Sequence, residues 1–220
     1  MKGLIRIMKL INNKVLDEIN KIVDAIWLCL LFFITCIPIF TIGAATTSLY
    51  YVMLKVIKND RGYVASEYFS CFRKNFKQST VIWIFLSAIY AFLAFDFIIM
   101  KSALSMGDIK GYFYYFFLVL MAVITAWSLY FFPYVARFQN TIKNTLRNTL
   151  IIAILNIQWT LLLAGLFAFA WALIYMYPPV GLVMPVMYHL FKVKIMERVF
   201  TKYMTPEDLE AEAERNRIYY

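Results

Sequence analysis

The sequence predicts an all-α fold: a polytopic transmembrane bundle of about six helices, two of them short, with amphipathic helices at the membrane surface. Three observations carry this reading. Of 220 residues, 63% are hydrophobic and only 16% charged, with a mean hydropathy of +0.68, whereas ordinary soluble domains carry about 25% charge. Several apolar runs approach or exceed the ~20 residues that a helix needs to cross a bilayer. The runs are separated by prolines, by an Asn-Asp-Arg-Gly turn and by basic amphipathic segments, each of which stops a helix or holds it at the surface.

Taken in order, residues 1–21 form a basic amphipathic N-terminal segment. Leu4, Met8, Ile11, Val15, Ile19 and Ile22 recur at helical spacing, while Arg6, Lys9, Asn13 and Lys14 take other faces; such a helix lies on an anionic membrane surface. A first apolar helix follows over 22–37. Pro38 ends it, because proline lacks a backbone donor and disfavours helix in the preceding residue. A second helix, 42–57, restarts at once. Thr41 is placed to cap it through the hydroxyl oxygen, and Gly43 to permit close backbone approach. Residues 36–51 therefore read as a tight helical hairpin with Pro38, Thr41 and Gly43 as its structural motif. Both helices are short for a ~30 Å hydrocarbon core; they either thin the bilayer locally or pack within the bundle rather than face lipid.

Asn59-Asp60-Arg61-Gly62 signals a turn. Residues 66–79 predict a short surface helix, with Phe69, Phe72 and Phe76 on one face and Arg73, Lys74 and Lys77 elsewhere. The third and fourth apolar helices cover 80–100 and 112–135, with Pro133 near the end of the latter. A second basic amphipathic stretch, 137–149, carries Phe138, Ile142, Leu146 and Leu150 at every fourth residue. A fifth helix over 150–177 breaks at Pro178-Pro179, and a short sixth covers 180–191. Residues 22–191 thus form the transmembrane domain and 192–220 a polar cytoplasmic tail, in which Thr205-Pro206-Glu207-Asp208 has the form of a helix start. Lys74-Asn75 and Lys143-Asn144, each followed five residues later by a threonine that leads into an apolar helix, form a weak internal echo.

Charge tests the layout. With the N-terminus inside and six crossings, every Lys and Arg except Lys101 and Lys110 falls on the cytoplasmic side, as the positive-inside rule requires. Both termini are then cytoplasmic. The formal charge of +9 has this origin, so no nucleic-acid partner is expected. Gly43-Ala44-Ala45 has the look of a cleavage site, but the long polar lead argues against a signal peptide. Cys29, Cys36 and Cys71 form no C-x-x-C pair and read as free thiols.

Candidate chemistry is sparse. Asp96 is the acid deepest in an apolar run. An intramembrane acid is by default a proton or substrate site, while its place one turn from the helix end, near Lys101, favours an interfacial structural role. Asn156 and Gln158, about two turns into the fifth helix, are amides that either bond across helices or line a polar path. His189 is the only histidine, which is too few for a metal site. H-E-x-x-H, G-x-S-x-G and P-loop patterns are missing. The expectation is therefore no enzyme, no catalytic or metal-ligating residues and no cofactor.

The residues also carry a family resemblance. Pro38-x-x-Thr41-x-Gly43-Ala44, Ser48-Leu49-Tyr50-Tyr51, Gly62-Tyr63-Val64, Phe69-x-x-Phe72-x-x-Asn75-Phe76-Lys77-Gln78 and Pro133-x-x-Ala136-Arg137-Phe138 resemble the YesL-like family of bacterial integral membrane proteins of unknown function. The likeness is most specific over 35–80. It implies a multi-pass protein of the bacterial cytoplasmic membrane, associated with carbohydrate uptake and with sugar ABC-transporter permease subunits as partners. It supplies no catalytic residue. The alternative is a small secondary transporter or channel, with its site where the first helix breaks into the second.

Overall fold

The structure is a computed structural model that describes residues 2–58, 62–138 and 140–204, with side chains from residue 19 onward. Among these residues every regular element is helical. In chain order they are α1 (Lys2–Cys36), α2 (Ile42–Val52, extended to Lys58 by a π turn), α3 (Val64–Ser105), α4 (Phe113–Ser128), α5 (Phe131–Arg137), α6 (Ile142–Leu155), α7 (Ile157–Met176) and α8 (Met184–Phe200). Five segments are long and apolar enough to cross a membrane: Ile19–Cys36, Ile39–Lys58, Val64–Ser105, Ile109–Arg137 and Ile157–Met176. The chain is thus an all-α, multi-pass membrane protein.

Several boundaries differ from the sequence reading, each for a physical reason. The surface segment 1–21 and the first apolar helix are one helix, α1; its side chains before residue 19, which carry the amphipathic pattern, lie outside the described residues. The predicted surface helix 66–79 and the third apolar helix are likewise one element, α3, of 42 residues, because no proline or glycine interrupts Val64–Ser105. The fifth helix breaks at Asn156, whose φ of −118° and ψ of 44° leave the helical region. Pro133 falls in the first turn of α5, where a missing N–H costs little. The turn at 59–62 is described only at Gly62, which takes a positive φ of 78° that suits glycine. The helix start at 205–208 lies outside the described residues.

The largest difference is the predicted short apolar helix over 180–191. A 3-10 turn, Pro178–Leu182, precedes α8, which continues to Phe200. With Lys192, Lys194, Glu197 and Arg198, α8 is not among the five apolar crossings. It is held instead by burial. Val193, Met196, Val199 and Phe200 join Leu28, Leu49, Tyr50, Met53, Tyr68 and Tyr130 in the main core. A second cluster, Ile82, Leu86, Phe131, Phe132 and Val135, joins α3 to α5.

At the centre stands α2. The segment Ile39–Lys58 is 67% buried, against 17–22% for the other four, so this short helix packs against protein rather than lipid. Its small residues Gly43, Ala44, Ala45, Thr47 and Ser48 are all buried, as expected where small residues let helices close up in a membrane.

Candidate functional site

The hairpin motif forms a packed joint. Pro38 opens a 3-10 turn, Ile39–Thr41, and the Thr41 N–H reaches Pro38 O at 2.9 Å. Thr41 does not cap α2 through its side chain. Its hydroxyl donates backwards instead, to Thr35 O and to Pro38 O at 2.6 Å. The carbonyls at the end of α1 have lost their helical donors and have little water to turn to, so they claim the hydroxyl. Gly43 faces α3 and α5 rather than α1. A Cβ there would collide with Ser79 O and stand 2.7 Å from Trp83 Cβ and 3.0 Å from a Phe132 ring carbon. Thr47 Oγ1 meets Ser79 Oγ at 2.8 Å, and the Trp83 indole donates to Ile39 O at 2.8 Å. The joint is therefore filled by protein on the α3 side.

The structure separates the other polar candidates. Asp96 is half-buried on α3 and has no ion-pair partner among the described residues. Asn156 is buried at the α6–α7 break, where its Nδ2 donates to Ile152 O at 3.0 Å and to the Tyr203 hydroxyl at 2.7 Å. Gln158, two residues on, is exposed. Asp96, Asn156 and Gln158 do not converge on one site.

A different polar constellation does converge. The Tyr50 hydroxyl donates to Glu197 Oε1 at 2.8 Å, and Arg137 Nη2 lies 3.3 Å from Glu197 Oε2. Tyr50 is fully buried and Glu197 only 8% exposed. Three residues 60 or more positions apart thereby tie α2, α5 and α8. Beside them Lys55 pairs with Glu67 at 2.7 Å, joining the end of α2 to the start of α3. Between α2, α3 and α5 lies a cavity of about 340 Å³. Its polar wall comprises Arg137, Lys74, Asn75, Ser70, Cys71 and Tyr51.

Sequence reasoning missed this junction because it assigned Glu197 to a solvated tail. A signal was present: Val193, Met196 and Phe200 continue a helical apolar stripe well past residue 191. Among the described residues, no three His, Cys, Asp or Glu side chains stand close enough to hold a metal ion.

Lys192, outside the five crossing segments, is 3% exposed. Its Nζ sits 5.5 Å from the Tyr188 ring centre, and it has no carboxylate partner among the described residues. Burial pushes its ammonium down to about 7 from an ordinary value of 10.5. Below pH 7 the amine is protonated whether the chain is folded or unfolded. Between 7 and 10.5 only the unfolded chain holds the proton, so this group makes stability rise with pH across that window. Thermal unfolding in detergent from pH 6 to 10 should show the rise, and Lys192→Met should flatten it. An identical slope in the variant would refute this account of the buried amine.

Fold and site together define a multi-pass, all-α membrane protein with a buried acid–base–tyrosine junction. Residues 22–97 match the family model described as "Protein of unknown function, DUF624". That span contains the hairpin joint, Lys55, Glu67 and most of the cavity wall on α2 and α3. No curated protein and no solved structure matches the chain.

Proposed function

We propose that the protein is a non-catalytic, YesL-like accessory or scaffold component of a carbohydrate uptake system in the bacterial cytoplasmic membrane. The observation that supports it most is the joining of the two basic stretches. At about 1.5 Å per residue α3 is roughly 63 Å long, twice the hydrocarbon core, so part of it projects beyond the bilayer, and Arg73, Lys74 and Lys77 favour its first half. There Gln78 Nε2 donates to Asn140 O at 2.9 Å and to Thr145 Oγ1 at 3.1 Å. That bond ties α3 to the start of α6, and Arg73, Lys74 and Lys77 of α3 and Lys143 and Arg147 of α6 are exposed. A rigid basic platform continuous with the membrane helices suits docking of an acidic partner face. The sugar permease as partner rests on the family resemblance.

The test is purification from native membranes in mild detergent, with identification of what co-purifies. Sugar-permease subunits should be recovered with the wild type and depleted when Arg73, Lys77, Lys143 and Arg147 are replaced together by glutamine. Recovery of the protein alone, together with solute movement when it is reconstituted in liposomes, would replace this reading with that of a small secondary transporter.

A further inference from the structure

One side of α3 is open beside the point where the described chain ends. Ser66, Phe69, Ser70, Arg73, Lys74 and Lys77 are all exposed, and steps of three or four residues put them on one stripe of the helix. Phe69, a large apolar ring, lines a shallow hollow with Ala65 and Arg73. The three cations make no ion pair among the described residues, and no carboxylate interrupts the stripe. Met204, in extended backbone just after the last 3-10 turn, shares a cavity wall with Ser70 and Lys74. The sequence that follows carries the opposite charge. Of the chain's 13 acidic residues, Glu207, Asp208, Glu210, Glu212 and Glu214 fall together over 207–214, with no basic residue among them. Leu209 and Ala213 stand at the spacing of one helical face. Reach is ample. Even as a helix, the ten residues from Met204 to Glu214 advance roughly 15 Å, against about 12 Å from Phe69 to Lys77 on α3.

We propose that segment 205–220 folds back on α3 and covers this stripe, its acids against Arg73, Lys74 and Lys77 and Leu209 against Phe69. Charge complementarity and the chain connection at Met204 select this occupant. Exposed ion pairs contribute little singly, but a tethered segment acts at a high effective concentration, so weak contacts suffice. The segment is thereby a built-in competitor for the cations that an acidic partner would use; this consequence alone rests on the docking reading.

The experiment uses the full-length protein in neutral detergent, with the photo-cross-linking residue p-benzoylphenylalanine in place of Leu209. Irradiation should give an adduct within one chain that maps to residues 65–77 of α3. Raising salt from about 0.1 to 1 M shortens the screening length from about 10 to 3 Å and should cut the adduct about threefold or more. Glu207→Lys, Asp208→Lys and Glu210→Lys together should do the same, as loss of several exposed charge pairs does. Adding Arg73→Glu, Lys74→Glu and Lys77→Glu to that triple should restore the adduct, which damage to the fold could not do. An adduct elsewhere, an adduct joining two chains, or a yield indifferent to charge overturns the proposal. Co-purification separates it from the docking reading. Glu207→Gln, Asp208→Asn and Glu210→Gln together should raise recovery of permease subunits, because the cations are uncovered. A charge-dependent adduct on α3 without that rise upholds the covering and overturns the docking reading instead.

Discussion

Gly43→Leu should all but eliminate folded, membrane-inserted protein. A single Cβ at this position already collides with Ser79 O and crowds Trp83 Cβ. The first of these is backbone inside the continuous α3 and cannot swing aside. Gly43→Ala should therefore lower the yield measurably, and leucine, with three more carbons, should force α2 off α3. That separation would break the Thr47–Ser79 bond and open the Phe132 contact. Overpacking of an ordinary core costs about 1–3 kcal/mol; here the obstruction is main chain, so the leucine variant falls beyond that range. Thr41→Val, which removes one hydroxyl from the carbonyls of Thr35 and Pro38, should cost about 1–3 kcal/mol and lie between alanine and leucine. Fluorescence-detected size exclusion of detergent extracts measures all three. Normal yield and profile for Gly43→Leu would show that α2 does not pack as described.

Glu197→Leu should destabilise nearly as much. It takes the Glu197 carboxylate away from Arg137 and leaves the fully buried Tyr50 hydroxyl without its acceptor. Breaking a buried pair from one side costs about 3–5 kcal/mol, so the melting temperature should fall well below that of the wild type. The double variant Arg137→Leu with Glu197→Leu should recover part of the loss, because it removes the uncompensated charge while the Tyr50 hydroxyl still lacks its acceptor. A double variant as unstable as the single one would mean that these residues hold the bundle by other contacts than their mutual charge.

How much of the site was legible differs from residue to residue. The role of Gly43 as a point of close approach follows from its lack of a side chain among apolar helices. That its neighbour is α3 does not follow, since adjacent sequence points to α1. The direction of the Thr41 bond was equally out of reach. A hydroxyl both donates and accepts, and only the position of the freed α1 carbonyls decides which it does. Asn156 and Gln158 look alike in sequence, yet one sits buried at a helix break and the other faces outward. Glu197 and Lys192 read as solvated because charge usually is.

By itself the sequence determined that this chain is helical and lives in a membrane, since long apolar runs in lipid must satisfy their backbone bonds internally. It also placed the breaks at Pro38 and at Pro178-Pro179, because proline acts locally, but not the one at Asn156. Tertiary structure alone decided that α2 is the central helix, that Gln78 of α3 bonds Thr145 of α6, and that Tyr50, Arg137 and Glu197 meet. The physical reason is that a buried charge is stable only beside partners brought from elsewhere in the chain. No local pattern records which distant residues those will be.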